Sequence, residues 1–142
     1  MKILVDTNVV LDVLCDREKF ADDSTRVIQF CEANLVSGSI YAMSVPNIVY
    51  IMRRELDPEA IETICLYLSL IFSIESLTSK DLRKAAQMRN KDFEDSLQIV
   101  CAEKISADYI VTRNIKDFAL SKVPVITPAE FLNIMQKEND NN

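Results

Sequence analysis

The chain contains no histidine at all and a single glycine, Gly38. Each shortage removes a class of chemistry. Without histidine there is no Ser-His-Asp or Cys-His nucleophile pair, and no imidazole to act as acid or base. With one glycine there is neither a phosphate-cradling glycine loop nor a dinucleotide-binding fingerprint. The four cysteines, Cys15, Cys31, Cys65 and Cys101, lie far apart with no C-x-x-C spacing. Each falls in a predicted helix among apolar residues and reads as a reduced core thiol, so a zinc site is not expected. No apolar run approaches the ~20 residues that span a bilayer, and too few apolar residues precede Asp6 for a signal-peptide core. These readings lead us to expect a soluble, cytoplasmic protein without membrane contact.

What is left for an enzyme is mainly carboxylate and metal chemistry. Asp and Glu number 22 against 16 Lys and Arg, a net charge of −6. That balance argues against indiscriminate nucleic-acid binding but leaves room for a local basic patch. With 142 residues, 49% of them hydrophobic, the chain can bury a sizeable core. We expect one domain over residues 1–137, followed by a polar tail, 138–142.

The stretch Ile3-Leu4-Val5 is a short apolar run that suits a strand buried on both faces of a parallel sheet. It stops at Asp6-Thr7-Asn8, residue types that favour helix N-caps, and Val9, Val10, Leu11, Val13 and Leu14 continue as a helix. Asp6 thus falls at the carboxyl end of a buried strand, the edge where ligands bind in open α/β sheets. A helix over Phe20–Leu35 would turn Val27, Ile28, Cys31 and Leu35 inward. A second strand is expected over Ser39–Met43, then a helix from Ser44 with Val45, Ile48, Val49, Met52 and Leu56 on its apolar face. Asp57-Pro58 opens the next helix, as N-cap and first helical residue. A third strand is expected over Leu70–Glu75. A helix over Thr78–Arg89 would bury Leu82, Ala85 and Ala86. Another, opened by Asp92-Phe93-Glu94-Asp95, would bury Phe93, Leu97, Val100, Cys101 and Ile105. Strands are expected over Asp108–Thr112 and Val123–Ile126, the latter at an edge because of Pro124. Thr127-Pro128-Ala129-Glu130 reads as a capping box. Alternating strands and helices imply a three-layer α/β/α sandwich on a mostly parallel sheet of about five strands.

In such a sheet the loops after strands one, two and four open on one edge. They bring Asp6, Asn47, Asn114 and Asp117 toward one another, and the helix start with Asp92, Glu94 and Asp95 belongs nearby. Taken singly, these residues equally suit caps, helix dipoles and turns. Taken together they suit a hard cation held by carboxylates and water, since paired like charges are unfavourable without one.

Three segments carry a resemblance: Leu4-Val5-Asp6-Thr7-Asn8, Asp92-Phe93-Glu94-Asp95-Ser96-Leu97-Gln98, and Ile110-Val111-Thr112-Arg113-Asn114 through Lys116-Asp117-Phe118. The ending Thr127-Pro128-Ala129-Glu130-Phe131-Leu132 fits as well. In this order they resemble the PIN-domain family, metal-dependent ribonucleases that include VapC-like toxins of bacterial toxin–antitoxin pairs. The resemblance implies Mg2+ or Mn2+ held by Asp6 and Asp95, with Asp117 and Asn114 on the far side and Asp92 as an additional acid. Asp6, Asp95 and Asp117 would be catalytic, with Asp95 orienting the attacking water, and Asn8 and Thr112 would orient their neighbours. Many family members carry Glu where this chain has Asn47, whose neutral oxygen lends no charge; metal binding is therefore expected to be weaker.

An RNA substrate would be held by Arg53, Arg54, Arg113 and Lys116. The run Lys80, Arg83, Lys84, Arg89 and Lys91 reads equally as a solvated helix face. An antitoxin and a homodimer are the expected partners, because the helices between Phe20 and Leu70 carry Tyr50, Met52 and Tyr67 beyond the needs of one sheet face. Two other readings stay open. One is a weakened PIN module that acts by binding RNA or protein. The other is a haloacid dehalogenase-type phosphatase, which would need an acid where Asn8 stands.

Overall fold

The computed structural model describes residues 1–142 and contains five strands, seven α-helices and one 3-10 turn. In chain order these are β1 (Lys2–Val5), α1 (Thr7–Leu14), α2 (Ala21–Glu32), β2 (Ser37–Tyr41), α3 (Ser44–Ile51), α4 (Pro58–Ile71) and β3 (Ser73–Glu75). There follow α5 (Ser79–Gln87), α6 (Phe93–Lys104), β4 (Tyr109–Val111), the 3-10 turn (Ile115–Phe118), β5 (Val125–Ile126) and α7 (Pro128–Asp140). All strands are parallel, in the order β3-β2-β1-β4-β5.

The first strand in sequence is therefore the middle strand in space. Ile3, Leu4 and Val5 are wholly buried, and strand alternation sends them to opposite faces. Ile3 and Val5 join the core beneath α1, α2, α3, α4 and α7, while Leu4 joins the one beneath α5 and α6. That makes the three layers. No helix is long and apolar enough to cross a membrane.

The caps follow the sequence closely. Asp57 accepts from the Ala60 amide with Pro58 next in line, and Thr127 accepts from the Glu130 amide. The reciprocal half of the expected box at Thr127 is not formed; a complete one stands at Thr78, with Asp81. Four helices stop on a non-glycine residue with positive φ one or two places beyond the last turn: Asp16, Asn34, Arg89 and Ser106. The only glycine is placed by contact instead, since a Cβ on Gly38 would stand 2.5 Å from Cys31 Sγ and 3.1 Å from the Phe72 ring.

Several boundaries differ from expectation. Helix α4 runs on through Ile71 and leaves Leu70 78% exposed, so β3 keeps only Ser73–Glu75; a short apolar run does not tell helix from strand by its period. Strand β2 begins at Ser37 and gives Ala42 and Met43 to the turn before α3. Helix α2 ends at Glu32, and the left-handed Asn34 turns Leu35 out to solvent. Helix α3 ends at Ile51, and of its expected apolar face only Ile48 is buried. On α5 only Ala85 of the three inward candidates is buried; Leu82 and Ala86 are exposed. Phe93 is exposed at the start of α6, whereas every residue from Ser96 to Ala102 is buried. Cys31 and Cys101 are core thiols as expected, but Cys15 is exposed just past α1 and Cys65 is half-buried. The segment Phe20–Leu70 holds three helices, α2, α3 and α4, the last running one residue beyond it. Helix α7 continues to Asp140, into the polar ending.

Candidate active site

Asp6 leaves β1 at the carboxyl edge of the sheet and occupies the N-cap position of α1, yet its carboxylate makes no capping bond. Both oxygens are engaged elsewhere. Gln98 Nε2 of α6 donates to Oδ1 at 2.8 Å, and Thr112 Oγ1, just past β4, donates to Oδ2 at 2.8 Å. Thr112 Oγ1 in turn accepts from the Asn114 amide. The plain helix-cap reading of Asp6 is thereby excluded. Burial raises the Asp6 pKa above the ordinary carboxylate value, and Gln98, Thr112 and the nearby Thr7 and Asn8 amides only partly offset this.

Asp6 forms one wall of a pocket of about 380 Å³. Thr7 and Asn8 come from α1, Asn47, Tyr50 and Ile51 from α3, and Asp92, Glu94, Asp95 and Gln98 from the start of α6; Asp117 from the 3-10 turn completes it. A 2.7 Å hydrogen bond between Thr7 Oγ1 and Ser44 Oγ ties the bases of α1 and α3. Asp92 caps α6 by accepting from the Glu94 and Asp95 amides at 2.9 and 3.2 Å, which fixes the helix end that presents both acids. Five carboxylates thus share the pocket, and no Lys or Arg lines it. The cost falls on Asp95. Burial, then the charges of Asp92, Asp117, Asp6 and Glu94, push its pKa up to about 7.

The donor set is all hard oxygen, as a divalent cation requires. The amide of Gln98, 2% exposed, spends its nitrogen on Asp6 and leaves Oε1 buried without a donor. A water of a hydrated ion would satisfy such an acceptor. No three carboxylates stand close enough together to clasp an ion directly. The residues therefore fit a cation that keeps much of its water, the usual habit of Mg2+.

The structure brings together Asp6, Asn8, Asn47, Asp92, Asp95 and Asp117, with Thr112 behind Asp6. Asn114 and Lys116 face a separate depression on the other side of Asp117, with Arg113 and Thr127. The Arg113 guanidinium is directed inward: Nε donates to Asp12 Oδ2 at 3.0 Å, and the group lies 4.2 Å over the Phe20 ring. Arg53 stacks 4.2 Å over Tyr50 at the pocket rim and donates to the Tyr50 carbonyl, while Arg54 is exposed beyond α3. Lys80, Arg83, Lys84, Arg89 and Lys91 are all exposed, and none lines the pocket. Sequence reasoning grouped Glu94 with the acids of the expected cation site without giving it a part of its own, and assigned no role to Gln98. A polar Gln inside the most buried stretch of α6, three residues after Asp95 and so on the same helix face, was the available signal.

Solved structures of similar fold include FitAcB from Neisseria gonorrhoeae, at 20% identity and a TM-score of 0.66, covering 89% of this chain and 97% of that one. VapBC2 from Rickettsia felis, bound to a DNA fragment from its promoter, gives 18%, 0.65 and the same coverage. A toxin–antitoxin complex from Klebsiella pneumoniae gives 21%, 0.67 and again 89% and 97%. None of the curated proteins matches the sequence. The model of the PIN domain matches residues 2–116, from β1 into the 3-10 turn that carries Asp117, and this chain belongs to the PIN-domain family.

Proposed function

We propose that this PIN domain is an endoribonuclease that hydrolyses RNA phosphodiester bonds with the aid of Mg2+ or Mn2+, and that it is the toxin of a toxin–antitoxin pair. One observation carries the reading. Five carboxylates crowd a pocket without a cationic side chain, and burial together with the charge of the other four pushes the pKa of one of them, Asp95, up to about 7. Such a site is unfavourable until a cation enters it.

A divalent ion in this pocket would supply Lewis acidity toward a phosphate oxygen and make water a better nucleophile near neutral pH. The protein's own part is positioning. Gln98 and Thr112 lock Asp6 in one orientation. Asp95, on the fixed end of α6, would orient a water for in-line attack on phosphorus, with Asp117 as the acid from the 3-10 turn. RNA phosphates would be repelled by the empty pocket, so ion and substrate binding are coupled. Arg53, stacked on the pocket residue Tyr50, and Lys116, which shares a depression with Asp117, would take the flanking phosphates.

The antitoxin reading is supported by the toxin–antitoxin complexes among the structural relatives. Tyr50 and Ile51 on α3 and Leu66 and Leu70 on α4 are exposed apolar side chains for a partner to cover, whereas Met52 and Tyr67 are partly buried against the core. A homodimer would use the same exposed side chains. Membership in the PIN family sets the phosphatase reading aside. A weakened RNA- or protein-binding module remains the second reading, favoured by the neutral Asn47 and the absence of a direct three-carboxylate clasp.

Single-stranded RNA incubated with the purified full chain decides between them. Cleavage with Mn2+ or Mg2+ that stops in excess chelator supports the nuclease. RNA retained but uncut at saturating metal supports the binding module, and cutting that is indifferent to chelator contradicts the metal reading.

A further inference from the structure

The α3 wall of the pocket has no charge of its own: it offers Asn47, Tyr50 and Ile51. Charge reaches that wall from the opposite side. Glu94, exposed in the first turn of α6, leans across the gap and accepts a 2.7 Å hydrogen bond on Oε1 from Asn47 Nδ2. Beside this pair lies Tyr41, 2% exposed at the end of β2. Burial, then Glu94, through its charge and as hydrogen-bond acceptor, then the charges of Asp6 and Asp92, hold the proton on its hydroxyl. The buried Oε1 of Gln98, in the pocket wall and without a donor, gives the acidic cluster what charge alone does not: an acceptor that the protein itself leaves unused.

We propose that Glu94 is the charged ion-binding group of the α3 side of this pocket and that Asn47 is the positioning residue that holds it there. The inference rests on the metal-dependent reading above and adds to it the carboxylate that completes the ring of charge. Asn47 is then no gap in the site. Its amide nitrogen can only donate, and donation to the Glu94 carboxylate fixes where that charge stands. A plain strap between α3 and α6 is the competing account, and the two respond differently to substitution. Glu94→Gln removes the charge yet retains an oxygen for Asn47 to bond. Asn47→Ala removes the bond yet retains the charge.

The test is calorimetric titration of the metal-free full chain with Mn2+, alongside thermal melts of the same samples. Glu94→Gln should lower Mn2+ affinity by about tenfold or more, the usual effect of losing a group that supports a metal site, while the metal-free protein melts higher. Asn47→Ala should lose less affinity. The exchanged pair Asn47→Glu with Glu94→Gln should regain most of what Glu94→Gln loses, because the charge has only changed walls. A strap predicts unchanged Mn2+ affinity in all three and a lower melting temperature for Asn47→Ala. Wild-type affinity in Glu94→Gln, with binding lost in Asp95→Asn, overturns the role of Glu94 and leaves the nuclease reading standing. A wild-type chain that binds no Mn2+ overturns both.

Discussion

Helix α1 begins and ends near a buried aspartate, and the two are treated in opposite ways. Asp12 is wholly buried. Arg113 Nε lies 3.0 Å from one oxygen and Arg17 Nη1 lies 3.3 Å from the other, with Ser24 Oγ at 3.5 Å. Asp6, 4% exposed, receives only neutral donors, with Gln98 and Thr112 as its side-chain partners, and every charged residue that shares its pocket is an acid. A buried carboxylate is costly unless paired. At Asp12 the chain supplies the countercharge itself; at Asp6 it withholds it and leaves the pocket open. In the reading proposed above, that difference separates a carboxylate that holds the fold from one kept for a cation.

The comparison can be broken most forcefully from the Asp12 side. Arg113→Met strips Asp12 of its shorter ion pair and leaves a buried charge half compensated. We expect a loss of about 3 kcal/mol, at the low end for such pairs because the arginine is partly in water. Urea denaturation reads it; a loss below 1 kcal/mol would mean that Asp12 is not held by Arg113.

Asp6→Asn tests the other side and should show the reverse profile. Cleavage should fall by about 100-fold or more, the scale of a lost catalytic group, while the metal-free protein melts no lower than wild type. RNA cutting at the wild-type rate would place the reaction elsewhere. A collapsed melting temperature would make Asp6 a structural residue like Asp12.

Asp95 sharpens the contrast through pH. Its folded pKa of about 7 lies above the ordinary 3.8, so the folded state holds the proton more tightly than the unfolded one. In the metal-free protein its contribution to stability is therefore full below about pH 4 and is lost as pH rises to about 7. Water in the open pocket screens the effect, and we expect about 1–2 kcal/mol where an unscreened shift would give roughly twice that. Asp95→Asn should be the more stable protein at pH 8 by this amount, with the advantage gone near pH 4. Parallel melting curves across that range would show that Asp95 is not strained by its neighbours.

The smallest effect should come from Thr112→Val. It removes one neutral donor from Asp6 and one acceptor from the Asn114 amide. We expect a cost of about 1 kcal/mol, typical of a single hydrogen bond, since Asp6 can shed its charge by taking a proton. A cost as large as that of Arg113→Met would erase the distinction between neutral and charged support.

Most of the fold could be read from local pattern. The apolar run Ile3–Val5, the caps at Asp57, Asp92 and Thr127, and the proline of the edge strand each act through residues a few places away. Leu35, Phe93 and the start of β3 were misplaced because tertiary packing, which no local window contains, decides which apolar residues are covered. The site divides the same way. Asp6, Asp92, Asp95 and Asp117 stand at element ends, where the alternation of strands and helices locates them. Asn47 meets Glu94 across 47 residues and Gln98 meets Asp6 across 92, and no sequence spacing reports such pairs. Arg113 was assigned to substrate for the same reason: its partner Asp12 lies 101 residues away.

Strand order has a consequence for biosynthesis. The central strand is made before either of its partners, but β4, which pairs with it and brings Thr112 to Asp6, lies 106 residues downstream. At about 5–20 residues per second, roughly 5–20 s separate the two on a translating ribosome. Until then β1 can pair only with β2, Asp6 has no Thr112 behind it, and the wall carrying Asp117 does not exist. For the ribonuclease proposed above, the acidic pocket is incomplete until Asp117 has been made, so the RNA being translated is out of its reach up to that point.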